Sequence, residues 1–192
     1  MTAESSGPAA RGIATVAVIG AGRAGRSFTM LCVDAGFRVI LEDVMPANLR
    51  RAQEDFGERW GASLSCALTV EDAVREADLA IDFVPDELES KLEIFSMIDR
   101  MAPPKTILCT PSDALSITDL ASCTYRPDRC VAVRTDGTDL AAAQRVRLLH
   151  GAGTSAETLR RMEAFWARLG KQVLMENDPD EPMLVKNFVP AR

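Results

Sequence analysis

A doubly wound α/β domain, with a mostly parallel sheet and helices on both faces, is the fold this chain predicts, and three observations predict it. Short apolar runs alternate with amphipathic stretches of helical period along nearly its whole length. The first run, Ile13 to Ile19, ends in Gly20-Ala21-Gly22-Arg23-Ala24-Gly25, a complete G-x-G-x-x-G. The second, Phe37 to Leu41, ends in Glu42-Asp43, an acid about 20 residues beyond the glycines.

Taken in order, Ile13 to Ile19 reads as a buried parallel strand, because it is apolar throughout rather than alternating. A helix follows with Phe28, Leu31, Cys32 and Ala35 on one face, closed by Gly36. After the second strand, residues 46 to 60 form a helix begun by Pro46. Leu64 to Leu68 is a short strand, and Thr69-Val70-Glu71-Asp72 opens a short helix through Ala77. Leu79 to Val84 is a strand ended by Pro85. Asp86 or Glu87 then opens a helix to Met101 with Leu88, Leu92, Phe95 and Ile98 inward, broken by Pro103-Pro104. Thr106 to Thr110 is a strand, Ile117 to Ala121 a short helix, Cys130 to Arg134 a sixth strand and Val146 to His150 a seventh. Ser155 caps a helix to Leu169, whose inward positions are Leu159, Met162, Phe165, Trp166 and Leu169. Gly170 ends it, and Gln172 to Met175 is the last strand.

The glycine segment carries chemistry as well as shape. Gly20 permits the tight turn, Gly22 lets the backbone approach a pyrophosphate, and Gly25 lets the helix pack against the strand. The helix N-terminus offers unpaired N–H groups to phosphates. Asp43 stands where an acid accepts the hydroxyls of an adenine ribose, and its charge repels a 2′-phosphate, so NAD is expected over NADP; Arg50 and Arg51 weaken that preference slightly. The alternative is a domain that keeps its glycines for packing alone. With the strand–turn–helix context in place, the fold is a Rossmann-type one.

Composition narrows the rest. A chain of 192 residues with 47% hydrophobic residues is one ordinary globular domain. The expected division is a disordered lead-in over 1–12, the dinucleotide domain over 13–180 and a C-terminal stub over 181–192. A net charge of −6 argues against nucleic acid or an anionic membrane as a main partner. No run has the length of a membrane helix, and the first twelve residues lack the apolar core of a signal peptide. Five widely spaced cysteines, without C-x-x-C, suit reduced thiols in a cytoplasm rather than a zinc site or disulfides. Cys32 and Cys109 fall in apolar patterns, as core. The many alanines and arginines hint at a bacterial source.

The order of motifs resembles the N-terminal domain of the 3-hydroxyacyl-CoA dehydrogenase family. The matching stretches are VAVIGAGRAG, ILEDV, EDAVREADLAIDFVPDELESKLEIF, APPKTILCTPSDALSITDLA, RPDRCVAV and TSAETLRRMEAFWARLGK, together nearly everything from Ile13 to Lys171. The resemblance implies an NAD domain with Gly20, Gly22, Arg23, Ala24 and Gly25 at the phosphates and Asp43 on the ribose. It places Val84, Pro85, Asp86, Lys91 and Thr110 along the cofactor. Lys91 is otherwise a helix-surface lysine.

The departures lie at the family's catalytic positions. Where the family has Asn-Thr-Ser-Ser, this chain has Pro111-Ser112-Asp113-Ala114, so Asp113 replaces the serine that contacts substrate. The family's general-base histidine, in His-Phe-Phe-Asn-Pro, becomes Arg134, followed by Thr135-Asp136-Gly137-Thr138. The acid that orients that histidine falls near Val146 or Arg147, neither of them an acid. Asn187 in EPMLVKN matches the family's asparagine, Pro182 its proline, and Met183 replaces its glycine. Arginine cannot accept a proton near neutral pH. The chain's one histidine, His150, reads as a strand-end residue on a different strand. Asp113 and Arg134 have two readings. Either they form an ion pair that closes the former site, or Arg134, with Arg145 or Arg147, holds an anionic substrate such as an acyl thioester through its planar fork. Family members continue into a helical domain that completes the cleft and makes the dimer; the sequence is either naturally short or cut from a longer one, and if it is naturally short a second copy or a partner subunit would supply that wall. Three functions follow: an NAD-dependent oxidoreductase with an altered substrate and a different proton acceptor, an NAD(H)-binding pseudoenzyme or regulatory module, and an assembly subunit without cofactor.

Overall fold

Each apolar run becomes a strand buried on both faces. In β1 (Thr15–Ile19), Val16 and Val18 point into one core layer while Ala17 and Ile19 point into the other. The computed structural model describes residues 12–57, 61, 63–137 and 139–178. After β1 come α1 (Arg23–Asp34), β2 (Arg38–Glu42), α2 (Pro46–Phe56), β3 (Leu64–Ala67), α3 (Val70–Val74) and β4 (Leu79–Asp82). Then follow α4 (Leu88–Met101), β5 (Ile107–Pro111), α5 (Ile117–Ser122), β6 (Cys130–Arg134), β7 (Arg145–His150), α6 (Ala156–Arg168) and β8 (Gln172–Asn177).

The eight strands form one sheet in the order β3-β2-β1-β4-β5-β6-β7-β8. The first six are parallel; β7 runs antiparallel to β6, and β8 parallel to β7. The ten residues 135–144 are too few for a helical crossover, so the chain reverses there. Helices α1, α2 and α6 cover one face, with Phe28, Phe37, Phe165 and Trp166 in ring contact; α3, α4 and α5 cover the other. The strand order reverses direction between β1 and β4, so their carboxyl ends open the crevice where such sheets bind ligands.

Local signals set the helix ends. Thr69, Ser116 and Ser155 each accept a backbone N–H three residues on. Beyond α1, the Gly36 N–H donates to the Val33 carbonyl and the Phe37 N–H to the Cys32 carbonyl, a Schellman ending. Two expectations need correction. Leu88 is exposed rather than inward, and the inward position of that first turn of α4 belongs to Lys91. The helix from Pro46 ends at Phe56, before the expected residue 60; residues 58–60, like the lead-in through Arg11 and the stub over 181–192, lie outside the described residues. Cys32 and Cys109 are buried in the core as expected, and all five cysteines are free. No described helix is long and apolar enough to cross a membrane.

Candidate active site

The glycine turn is built around contacts that a Cβ would destroy. Gly20 has φ +100°, and a Cβ on Gly25 would lie 1.9 Å from the Gly20 carbonyl oxygen. Gly22 differs: nothing lies within 4 Å of where its Cβ would stand, so the space above it is open to a ligand. Gly22 caps α1 without a side-chain hydrogen bond, and the first turn holds no acid. The amides at that N-terminus are therefore left for an anion. Arg23 and Ala24 are exposed beside them.

Asp43 braces this turn from β2. Its Oδ2 accepts the Ala21 N–H at 2.9 Å and the Asn48 Nδ2 at 3.0 Å, and Oδ1 accepts the Met45 N–H at 2.8 Å. Three of about four acceptor positions are used, which leaves room for a hydroxyl. Arg26 braces the turn from the other side, donating to the Ala21 carbonyl and pairing with Asp55 at 2.7 Å. Neither Asn48 nor Arg26 was singled out by spacing. Next to Asp43, Glu42 is buried and its Oε1 has no hydrogen-bond partner; burial, then the Asp43 charge, pushes its carboxyl up to about 7.

Beyond the glycine turn, a cleft of about 250 Å³ lies over the ends of β4, β5 and β6, lined by Ala24, Phe83, Asp86, Ser112, Asp113 and Asp139 among others. Val84 and Pro85 follow β4 at its rim, half-buried and exposed. Beneath the cleft is a network that the sequence reading missed. The Lys91 Nζ donates to Asp82 Oδ1 at 2.6 Å and to the Pro111 carbonyl at 3.0 Å, with both side chains almost fully buried. Lys91 is thus not a surface lysine. Thr110, also fully buried, stands beside the same carboxylate. Burial outweighs the Lys91 charge and holds the Asp82 carboxyl above the ordinary range. An acid closing the apolar run Leu79-Ala80-Ile81, with a lysine nine residues on, was the available signal.

The expected Asp113–Arg134 ion pair does not form. Arg134 donates from Nε to the Ser112 carbonyl and from Nη2 to the Leu115 carbonyl, both at 2.9 Å. Asp113 is exposed on the cleft side, and its N–H donates to Asp86 Oδ2 at 3.0 Å. Loop carbonyls satisfy the guanidinium without bringing the acid inward. Arg134 faces Arg147 directly across the β6–β7 ladder, and Arg147 leans to Glu176 at 3.5 Å. Arg145, at the start of β7, is exposed. His150 sits three residues further along β7 from Arg147, its Nδ1 beside the Gly151 carbonyl, away from the cleft. Pro182, Met183 and Asn187 lie outside the described residues.

Comparison with known proteins agrees with this geometry. The family described as 3-hydroxyacyl-CoA dehydrogenase, NAD binding domain, matches residues 15–69 and 58–179. The probable 3-hydroxybutyryl-CoA dehydrogenase of Bacillus subtilis is 30% identical over 183 residues, covering 86% of this chain and 63% of that one. The L-carnitine dehydrogenase of Pseudomonas putida is 27% identical over 175 residues, covering 84% and 54%. The crystal structure of 3-hydroxybutyryl-CoA dehydrogenase from Escherichia coli superposes with a TM-score of 0.78 at 25% identity, over 88% of this chain and 39% of that one. The chain thus spans less than two thirds of the length of these relatives. The open space above Gly22, the uncapped N-terminus of α1 and the spare acceptor position on Asp43 fit NAD, the cofactor of such domains. Over nearly its whole described length, this chain belongs to the family of 3-hydroxyacyl-CoA dehydrogenase NAD-binding domains.

Proposed function

We propose that this domain serves an NAD(H)-dependent oxidoreductase whose substrate and proton acceptor differ from those of the 3-hydroxyacyl-CoA dehydrogenases. The observation that carries the reading is Arg134: its guanidinium, where the resemblance puts the family's base, is bound to two carbonyls beside a complete dinucleotide cradle. NAD, when bound, takes up a hydride. The chain's own task is to hold the substrate and accept its hydroxyl proton. The titratable groups lining the cleft are Asp86, Asp113 and Asp139. Asp86 already accepts the Asp113 amide, whereas the Asp113 carboxylate is exposed where the resemblance puts a substrate contact. We assign Asp113 as the acceptor: its carboxylate takes the hydroxyl proton as the hydride departs. Three carboxylates also repel an anion, so a neutral hydroxy compound suits the cleft better than the acyl thioester or other anion that Arg134 alone had pointed to.

The test is NAD reduction by the full chain with ethyl 3-hydroxybutyrate and with 3-hydroxybutyryl-CoA. The expected result is a higher kcat/KM for the ester, with Asp113→Asn lowering kcat about 100-fold and leaving NADH affinity intact. Faster turnover of the thioester, or an unaffected Asn variant, overturns the assignment. Turnover of neither, with NADH still bound, favours the second reading, an NAD(H)-binding module without turnover, which an arginine where the resemblance puts the base supports.

A further inference from the structure

At the opposite end of the sheet from the glycine turn, where β1 and β2 begin, there is a second cavity of about 270 Å³. Ile13, Phe37 and Phe165 give it apolar walls, and the charged groups that line it are Arg160, Arg161 and Arg168. All three cations come from α6. Arg160 and Arg168 lie two turns apart on one side, and Arg161 lies one turn before Phe165. In a chain of net charge −6, this is a concentration of positive charge around aromatic rings.

Two of these arginines are held in place. Arg168 donates to the carbonyls of Ala35 and Gly36 at the end of α1, and its guanidinium lies 4.1 Å over the Phe37 ring. Arg161 is only 7% exposed. Its Nη1 donates to the Lys105 carbonyl at 3.2 Å, while its Nε is buried without a partner. None of the three forms an ion pair among the described residues. The acids that act on Arg161 are Asp78 and Glu157. Asp78 is taken by Lys105 at 2.6 Å and by the amides of Ala14 and Thr15. Glu157 lies one turn earlier on α6. Burial pushes the Arg161 guanidinium below its ordinary range. A buried cation with no ion pair of its own and an unpartnered Nε is costly, and an incoming anion relieves that cost.

We propose that this cavity binds a small flat organic anion, its acidic head on Arg161 and Arg160 and its apolar body against Phe37 and Phe165, at a site separate from the cofactor cleft. The volume suits one ring or a short acyl group with a carboxylate, sulfonate or phosphate, and a planar guanidinium binds such heads through paired hydrogen bonds. The inference does not rest on the oxidoreductase reading.

The test is calorimetric titration of the full chain with phenyl phosphate, with and without saturating NADH, and with inorganic phosphate alongside. The expected result is saturable one-to-one binding, at least tenfold weaker for inorganic phosphate and unaffected by NADH. Arg160→Gln and Arg161→Gln should each weaken it at least tenfold. Arg160 is exposed on α6, so its variant keeps the test valid even where Arg161→Gln disturbs folding. Absence of saturable binding, displacement by NADH, or wild-type affinity in Arg160→Gln overturns the proposal.

Discussion

The two halves of the carboxyl edge differ in what gives them their shape. On the adenosine side, β1, α1 and β2 keep each element of a dinucleotide cradle and add braces of their own, Arg26 and Asn48, around Ala21 and Asp43. On the other side, over β5 and β6, Asp113 faces the cleft, and Arg134 and Arg147 face each other across the β6–β7 ladder. Backbone geometry that serves a cofactor is specified by glycines and cannot drift without loss of packing. Side chains that serve a substrate are specified one at a time, and can be exchanged while the sheet stands.

The largest effect is expected at the support that both halves share. Lys91→Met leaves Asp82 buried without its counter-charge and should cost about 3–5 kcal/mol in urea unfolding. Adding Asp82→Asn should recover most of it. A smaller loss in the single variant would mean that the pair is not the keystone under the cleft. Next comes Gly25→Ala, whose Cβ meets the Gly20 carbonyl at 1.9 Å; it should cost about 3 kcal/mol and abolish NADH binding. Gly22→Ala sharpens the contrast. Its Cβ meets no protein atom, so stability should stay within about 0.5 kcal/mol while NADH affinity falls.

Glu42 gives a pH-dependent test on the cradle side. In the fold it holds its proton up to about pH 7, whereas the unfolded chain releases it near 4.5. Stability should therefore fall as pH rises between those values and level off above pH 7. Glu42→Gln removes the effect: it should raise stability on the order of 2 kcal/mol at pH 8 and have no effect at pH 4. A Tm gain equal at both pH values would contradict it. A smaller effect than that of Glu42 is expected at Arg134. Arg134→Ala removes two hydrogen bonds to loop carbonyls and should cost about 1.5 kcal/mol, with NADH affinity within twofold of the parent.

Much of the cradle was legible in the chain because each of its signals is local. The glycine spacing, the apolar run before it and the acid after the second strand lie within about thirty residues. The strands were legible for the same reason, and Cys130 to Arg134 begins and ends where its apolar pattern does. What escaped depends on pairing across the sheet. Spacing alone puts Lys91 on the helix surface and the resemblance puts it along the cofactor; the docking of α4 sets it over Asp82. Arg134 and Asp113 look like partners by charge alone, but the loop before α5 offers carbonyls closer to hand. That Arg134 stands opposite Arg147 follows from the β6–β7 reversal, which no residue type announces.

The glycine turn and Asp43 form a cradle competent to bind NAD. This competence is tested most directly by titrating the chain with NADH and, separately, with NADPH, following energy transfer from Trp60 and Trp166. Saturable NADH binding, tighter than NADPH and lost in Gly25→Ala, is the expected result. Binding of neither nucleotide would contradict it, and would mean that the glycines serve packing alone.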